Sequence, residues 1–458
     1  MSQNSVEQVN PKLVTRAVNA IGTALRTPQV RDEAGWVITH KLVEFALVFV
    51  GLKLYTNLMT RDEYGEFSLA LTAVGFLGNL AIMPMAHTYY RNLGKAKADD
   101  TSRSAGIALL RWYTAVTIVV AAAAWLATHS LASWLSLGPW TVLATGILFS
   151  TYHWRTLGIE VLDMRRQRRK CALQNLGFLA LNIALTAVLL VVWSRSAASA
   201  LVAYALAAAL FAWIGTRPII REVLTQPPGR TSDIMRSVVT FGLPYGALLI
   251  CQWVQTFSER YIVGIQLDLD AVGGYVAAYQ VCGVPYMLLS VIVNGLGVPI
   301  AYERAGATGD PKRLWAADEV LLYGIGAYMV LGAAAIPLYA LWGNSLMRLL
   351  TSESFVLSGS VILCLVLARY IQCLGLLLQT FFAVHQRMGV SLCFRALGGL
   401  LVIPVCWYAV KWYGVAGAAG GILIGGVIYT LLVCLCPGGC LDMLRRVRRD
   451  LRVALPSA

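Results

Sequence analysis

Long apolar runs separated by short polar connections dominate the pattern of hydrophobic and polar positions along this chain. A membrane-spanning helix needs about 20 predominantly apolar residues, and about twelve runs meet that requirement. The pattern therefore predicts an all-α polytopic membrane protein with about 12 transmembrane helices. The predicted spans are 36–57, 66–86, 105–128, 139–160, 171–193, 197–216, 237–258, 271–301, 319–342, 359–382, 389–410 and 413–436.

Composition supports a membrane location and excludes a large soluble domain. Hydrophobic residues make up 58% of the chain and charged residues only 13%, with a mean hydropathy of +0.66. Soluble domains carry about 25% charged residues. The ten cysteines lie mostly inside apolar runs, and the cluster at 434–440 has no accompanying histidine. We therefore expect neither a metal site nor another cofactor.

The placement of basic residues predicts the orientation. With the N-terminus inside, the inner connections and both tails carry 26 of the 37 Lys and Arg residues, whereas the outer connections carry 5. Cytoplasmic connections are enriched in this way, so both termini are predicted to be cytoplasmic. Clusters such as 165–170 then face anionic lipid headgroups. The net charge of +14 is thus explained by membrane lipids, without a nucleic-acid partner.

The spans divide the chain into two halves of six helices. We predict an N-terminal cytoplasmic segment, an N-terminal lobe, a cytoplasmic linker, a C-terminal lobe and a basic cytoplasmic tail. Their predicted boundaries are 1–35, 36–216, 217–236, 237–436 and 437–458. Within the first segment, residues 12–26 have the spacing of a short amphipathic helix on the membrane surface, although a disordered basic tail fits equally well.

A short internal repeat supports the division into halves. Residues 65–70 (GEFSLA) and 273–278 (GGYVAA) both read G-x-aromatic-x-x-A, and both open the second helix of an outer hairpin. The two stretches are 208 residues apart, close to half of the chain. Spans one and seven run in the same direction, so the halves are predicted to be parallel repeats around an axis along the membrane normal.

Glycine and proline positions indicate close packing and a candidate hinge. Gly417, Gly421 and Gly425 recur every four residues in the last predicted span, a spacing that permits close helix packing. Gly242 and Pro244 interrupt the seventh span near its inner end, where proline removes a helix hydrogen bond. These two residues are the candidate hinge.

Cations outnumber acids inside the predicted spans. The six intramembrane cations are Lys41, Lys53, Arg111, Arg155, Arg369 and Arg395. The clear acids are Glu44 and, at a span end, Glu160, while Arg260 lies at an outer end. Charges inside a bilayer are costly and usually face a cavity. This excess of cations predicts a cavity that binds an anion, most simply a phosphate or diphosphate.

Structural roles remain open for several of these cations. Lys53 lies near a span end, and Arg111 and Arg395 lie within reach of the inner surface, so each can extend its charge to the interface. Lys41 and Glu44 are spaced to pair along one helix.

Arg155 and Arg369 have the strongest case for contacting substrate. Arg155 lies in the inner half of the fourth span and Arg369 near the middle of the tenth, and extending a charge to the interface is harder the deeper it lies. Glu44 and Glu259 are the candidates for coupling transport to an ion, although each can also pair with a neighbouring cation.

Five stretches of sequence resemble one known family. They are 55–68 (YTNLMTRDEYGEFS), 241–245 (FGLPY), 258–263 (SERYIV), 271–279 (AVGGYVAAY) and 413–419 (YGVAGAA). Their order and spacing are similar to those of Wzx-type polysaccharide flippases of the multidrug/oligosaccharidyl-lipid/polysaccharide exporter superfamily. The family often has Asp-Arg where this chain has Glu-Arg at 259–260, which preserves the charges.

The resemblance implies two six-helix lobes around a central cationic cavity in a bacterial inner membrane. It implies alternating access, driven by an ion gradient, and a substrate made of an oligosaccharide on a polyprenyl diphosphate. Partners would include the polymerase and glycosyltransferases of the same pathway. The family motifs do not assign substrate contacts to particular arginines, so those assignments rest on charge and depth.

Other functions remain open at the level of sequence. A drug or small-molecule antiporter of the same superfamily would favour carboxylates for cationic drugs, and the excess of cations disfavours it. A membrane polysaccharide polymerase or glycosyltransferase usually needs a sizeable outer loop, whereas the outer connections here are short. A non-transporting assembly partner of a polysaccharide machine also remains open. We therefore predict a transporter rather than an enzyme.

Overall fold

A computed structural model of the chain describes residues 28–95, 101–126, 137–225, 232–306, 310–435, 437 and 439–454. These residues form helices and connections, with no strand among them. The predicted helix at 12–26 lies outside the described residues. The α-helices are α1 (Pro28–Leu58), α2 (Arg61–Ala81), α3 (Met83–Lys95), α4 (Thr101–Leu126), α5 (Pro139–Met164), α6 (Arg168–Val192), α7 (Ala197–Thr225), α8 (Ser232–Ser237), α9 (Leu243–Gln266), α10 (Leu269–Ala305), α11 (Pro311–Leu350), α12 (Gly359–Leu378), α13 (Thr380–Val384), α14 (Met388–Leu435) and α15 (Cys440–Ala454).

The helices account for about twelve membrane crossings. Within the described ranges, eight helical stretches are long and apolar enough to span a bilayer, and a ninth is added if α2 and α3 form one bent span. One of the eight includes all of α14, which contains two crossings because its backbone breaks at Gly414, at a φ of 58°. The remaining two crossings are α1 and α5, which have 31 and 26 residues but carry charged and polar side chains. The predicted all-α fold is confirmed.

The helices form two lobes. The N-lobe comprises α1–α7 and the C-lobe comprises α8–α14. The connection at 165–167 marks one end of the bundle, hereafter the basic end, and the α1–α2 and α9–α10 connections mark the opposite end, hereafter the far end.

The internal repeat is visible at the far end. Thr60 caps the start of α2 by accepting a hydrogen bond from the Glu63 backbone N–H at 3.3 Å. Asp268, 208 residues later, caps α10 in the same way by accepting from the Ala271 N–H at 2.7 Å. Both are caps of the preferred type, in which a side-chain oxygen satisfies a free N–H of the first turn.

The two repeat glycines let the lobes meet at the far end. A methyl group added at Gly65 would overlap the backbone carbonyl of Leu269, and one added at Gly273 would overlap that of Arg61. Gly65 and Gly273 are equivalent positions of the repeat, 208 residues apart, and so are Arg61 and Leu269. The two contacts are therefore equivalent, and α2 and α10 are related by an approximate two-fold axis. Glycine is required here because any side chain would separate the backbones.

The glycine stripe in the last span packs statically. A methyl group on Gly417 would overlap the Ala409 carbonyl, and one on Gly421 would lie 2.6 Å from Cys406 Sγ. The two halves of α14 therefore fold back on each other at backbone contact distance, as the spacing of four predicts.

Several helix boundaries differ from the predicted spans. The chain bends by 58° at Ile82, between α2 and α3. Helix α1 begins at Pro28, and α7 continues through Pro218 to Thr225, so much of the predicted linker 217–236 is helical. Hydropathy windows end where the bilayer ends, whereas a helix continues until its backbone hydrogen bonds stop.

The predicted basic tail contains a packed helix. Cys440, Met443 and Val447 of α15 are buried, whereas Arg445 and Arg446 are exposed. An apolar stripe on one face and arginines on the other are the pattern of a helix that lies along a surface. Here the apolar face packs on α11 and α14 of the C-lobe.

Candidate functional site

A cavity of about 770 Å³ lies between the lobes in the half of the bundle near the basic end. Helices α1, α5 and α6 line one side, and α10 with Thr380 lines the other. Its volume falls within the range of about 300–1,000 Å³ that is usual for ligand sites. Some of the polar side chains that make α1 and α5 less apolar than the other crossings face this space, among them His40, Lys41, Arg155 and Glu160.

Arg155 is the central cation of the cavity. It lies on α5, and only 8% of its surface is exposed. Its guanidinium carbon lies 3.8 Å from the centre of the Phe178 ring and 5.5 Å from that of Tyr152, which fixes the orientation of the guanidinium plane. Nη1 donates to Asn175 Oδ1 at 3.1 Å, and Nε is buried without a hydrogen-bond partner. A buried donor without a partner is costly, so a ligand that reached this nitrogen would relieve that cost.

A chain of polar contacts leads from Arg155 to α1. Asn175 Nδ2 lies 3.0 Å from His40 Nε2. His40 Nε2 in turn lies 3.5 Å from Glu44 Oε2. Lys41 Nζ donates to the same oxygen at 2.6 Å. The Lys41–Glu44 pairing considered from the spacing is therefore present, and it leaves Lys41 largely neutralised.

The other charges of the cavity lie toward the basic end. Arg168 pairs with Asp163, and Glu160 also lines the space. Since Lys41 and Arg168 both contact carboxylates, Arg155 is the lining cation that makes no ion pair with an acid in the described part of the chain.

Arg369 lies inside the C-lobe, and Arg260 lies where the C-lobe meets α2, with its Nη1 3.4 Å from Ser68 Oγ. Neither residue is on the wall of this cavity. Both guanidinium carbons face the Tyr279 ring, at 4.6 Å and 4.9 Å from its centre. Arg369 Nη1 also donates to the Tyr279 hydroxyl at 2.5 Å. Glu259 is fully buried, with Oε1 3.8 Å from Arg260 Nε. A methyl group added to Gly283 of α10 would lie 2.7 Å from Arg369 Nε, so Arg369 packs directly against α10.

Arg395 ties the C-lobe helices together. Only 1% of its surface is exposed. Nη1 donates to Gln255 Oε1 on α9 at 3.0 Å, and Nε donates to Gln379 Oε1 at 3.0 Å, next to the start of α13. Its guanidinium carbon lies 4.9 Å from the centre of the Tyr429 ring. Neutral amides satisfy this buried cation, and it does not extend to the inner surface.

Lys53 joins the lobes at the far end. Its Nζ donates to the backbone carbonyls of Arg348 and Thr351 at 2.9 and 2.6 Å, where it caps the C-terminus of α11. Nearby, Arg61 of α2 forms an ion pair with Asp270 of α10, with Arg61 Nη2 3.2 Å from Asp270 Oδ2. Lys53 is therefore held by the opposite lobe, a role that its position near a span end did not indicate.

The remaining predicted residues lie away from the cavity wall. Arg111 is exposed on α4 at the outside of the bundle. Gly242 ends a π-helical turn, Val238–Gly242, that precedes Pro244. A methyl group on Gly242 would overlap the Pro84 carbonyl of α3, so the candidate hinge packs directly on the N-lobe.

Sequence reasoning missed Asn175 and His40. Both are polar side chains inside predicted spans, and that signal was available. Neither side chain carries a formal charge at neutral pH, so an excess of cations over acids does not reveal them. Within the described ranges, no cluster of three His, Cys, Asp or Glu side chains could hold a metal ion.

A family profile described as polysaccharide biosynthesis protein matches residues 30–301, more than half of the sequence. The chain belongs to the polysaccharide biosynthesis protein family. The match covers nearly all of the N-lobe and the α9–α10 hairpin, which together supply all the residues that line the cavity except Thr380 of α13. Comparison with curated protein sequences gives no match.

Several solved structures have a fold similar to that of this chain. The lipid II flippase MurJ, in an inward closed conformation, is similar with a TM-score of 0.71 at 10% identity, over 93% of each chain. An inward-facing multidrug resistance MATE family transporter of the MOP superfamily has a TM-score of 0.66 at 14% identity, over 91% of this chain and 96% of that one. A MOP superfamily transporter from Pyrococcus furiosus has a TM-score of 0.63 at 14% identity, over 94% and 97%.

These likenesses establish the transporter fold of two six-helix lobes. The family match confirms a polysaccharide biosynthesis family, as the sequence motifs predict, and the likenesses show that the fold is that of MOP superfamily transporters. This member of the polysaccharide biosynthesis protein family therefore has a multi-pass membrane fold that it shares with transporters. The roles of individual residues stay predictions.

Proposed function

We propose that this protein moves a polyprenyl-diphosphate-linked oligosaccharide across the bacterial inner membrane for surface polysaccharide biosynthesis. In this proposal the diphosphate binds Arg155, the sugars occupy the cavity, and the polyprenyl chain stays in the bilayer. The observation that carries the proposal is the geometry of Arg155, a nearly buried guanidinium in the cavity with an unpartnered Nε and no carboxylate contact. Arginine is suited to phosphate oxygens because its planar donors match them.

Two further observations support this substrate class. The family of the chain acts in polysaccharide biosynthesis, and a protein of the same fold is a flippase for lipid II. The basic end would face the cytoplasm, because cytoplasmic ends of membrane proteins are enriched in Lys and Arg. In that orientation the cavity is reached from the side on which lipid-linked sugars are assembled, and the far end is closed.

Alternating access would require the far end to open. Lys53, Arg61 and the Gly65–Gly273 crossing hold it shut, and all of these contacts join one lobe to the other. Breaking them while the lobes meet at the basic end would expose the cavity to the opposite side.

A binding experiment tests the proposed substrate class. We expect the purified protein to bind a short-chain prenyl diphosphate that carries N-acetylglucosamine, and to bind the same prenyl sugar joined by a neutral ether at least about tenfold more weakly. The measurement is microscale thermophoresis in detergent. Tighter binding of the cation tetraphenylphosphonium than of the diphosphate would overturn the proposal and favour the antiporter.

A further inference from the structure

The hydrogen bonds around Asn175 determine the protonation state of His40. A guanidinium can only donate, and Arg155 Nη1 lies 3.1 Å from Asn175 Oδ1, so the carboxamide presents its oxygen to Arg155. Its NH₂ group then faces His40 Nε2 at 3.0 Å and donates to it. An imidazole nitrogen that accepts carries no proton. His40 is therefore neutral in this arrangement, with its proton on Nδ1.

Protonation of His40 is incompatible with the bond between Arg155 and Asn175. An imidazolium donates from both nitrogens, so Nε2–H would meet the Asn175 NH₂ donor to donor. Turning the amide over would satisfy His40 but would present NH₂ to Arg155, which also only donates. An acceptor for the new Nε2–H is already close, because Glu44 Oε2 lies 3.5 Å from Nε2. The proton would come from water in the cavity and add to the Nε2 lone pair, with no other residue losing one.

The charged groups around His40 come from three helices. Lys41 and Glu44 lie on α1, Glu160 and Asp163 on α5, and Arg168 begins α6. The stretch of α10 that lines the cavity, 291–299, contributes no charged side chain. Two of these groups, Lys41 and Glu44, are already paired with each other, and so are Asp163 and Arg168.

We propose that His40 is a proton-binding site linked through Asn175 to the anion site at Arg155. This inference rests on the proposed function, because it takes the diphosphate as the ligand of Arg155. Binding of a proton to His40 frees Arg155 Nη1 from Asn175, so that Nη1 and the unpartnered Nε can both donate to the diphosphate. Asn175 and His40 are positioning residues that act through Arg155.

The linkage must act in both directions. If a proton on His40 strengthens diphosphate binding, then the diphosphate strengthens proton binding by the same factor. Loaded protein would thus carry a proton that empty protein lacks. A proton that travels outward with the substrate moves against an inward proton gradient, so this device would set the affinity for the diphosphate and would not itself supply the driving force.

The test is the pH profile of diphosphate binding by the full chain. The probe is the short-chain prenyl diphosphate of N-acetylglucosamine, a diphosphate diester that does not titrate near neutrality. We expect binding about tenfold tighter at about pH 5.5 than at about pH 8, because one hydrogen bond to a charged group is at stake. His40→Gln should bind equally at both pH values, while His87→Gln, on α3 and stacked against Tyr245, should keep the dependence.

The variant Asn175→Leu distinguishes two explanations of a pH dependence: linkage through the Asn175 hydrogen bonds, and direct attraction between protonated His40 and the diphosphate. It keeps the side-chain volume but removes both polar groups, so Arg155 should be free at every pH. We expect it to bind at about pH 8 as tightly as the wild-type protein does at about pH 5.5. A pH dependence that persists in Asn175→Leu would overturn the linkage, because the charge of His40 would then act through space. Wild-type binding that does not vary with pH would also overturn it. No binding at any pH would instead overturn the proposed function.

Discussion

Arg155→Ala is expected to reduce export of the surface polysaccharide by about 100-fold while the protein still reaches the membrane in normal amount. The change removes the cavity guanidinium, and two charge-assisted hydrogen bonds to a phosphate are worth enough to produce a loss of that size. Arg155→Lys should recover only part of the activity, because an ammonium is a point charge without the planar donor pair. Export is measured in cells that depend on the plasmid-borne protein, with abundance measured by immunoblot.

Arg369→Ala is the matched comparison. Arg369 lies inside the C-lobe against Tyr279 and Gln372, so its loss leaves buried partners unsatisfied. We expect lower abundance of the protein, with export falling in proportion. Normal abundance with no export in Arg369→Ala, together with normal export in Arg155→Ala, would place the substrate in the C-lobe instead.

Gly273→Leu is expected to abolish transport by holding the far end open. The new side chain would occupy the space of the Arg61 backbone, which cannot move without separating α2 from α10. Gly297→Leu is the control on the same helix, since a side chain there meets open space. Spin labels at Asp62→Cys and Glu353→Cys, both exposed at the far end, report the separation of the lobes.

The expected result is a longer distance between labels in Gly273→Leu than in Gly297→Leu. The two-fold relation provides an independent check, because Gly65→Leu should have the same effect through Leu269. An unchanged distance in both variants would mean that the far end is not held by this glycine crossing.

Much of the fold follows from the sequence because hydrophobic length and glycine spacing are local signals. The repeat at 65–70 and 273–278 identified the two glycines that meet at the far end. The spacing of Gly417, Gly421 and Gly425 likewise indicated a contact that is present. The bend at Ile82 was not predicted, although Pro84 in the first turn of α3 is a local signal for it.

The candidate site was only partly predictable. Depth in the membrane can be counted along the sequence, and Arg155, which was selected by depth, lines the cavity. Whether a side chain faces the cavity or another helix depends on how distant segments pack around its helix, and that packing cannot be counted along the sequence. Arg395 lies at the right depth but points to Gln255 and Gln379, which are 140 and 16 residues away in sequence. Asn175 lacks a formal charge and gains its importance only through its two hydrogen-bond partners.

Translocation by the purified protein in liposomes is the most direct measurement of the central claim. A fluorescent prenyl-diphosphate oligosaccharide is placed in both leaflets, and a membrane-impermeant reductant quenches only the outer one. The account predicts that wild-type protein makes the inner pool available to the reductant and that Arg155→Ala protein, incorporated in equal amount, does not. Equal rates for wild-type, Arg155→Ala and protein-free liposomes would contradict the claim that this chain moves lipid-linked oligosaccharide through the Arg155 cavity.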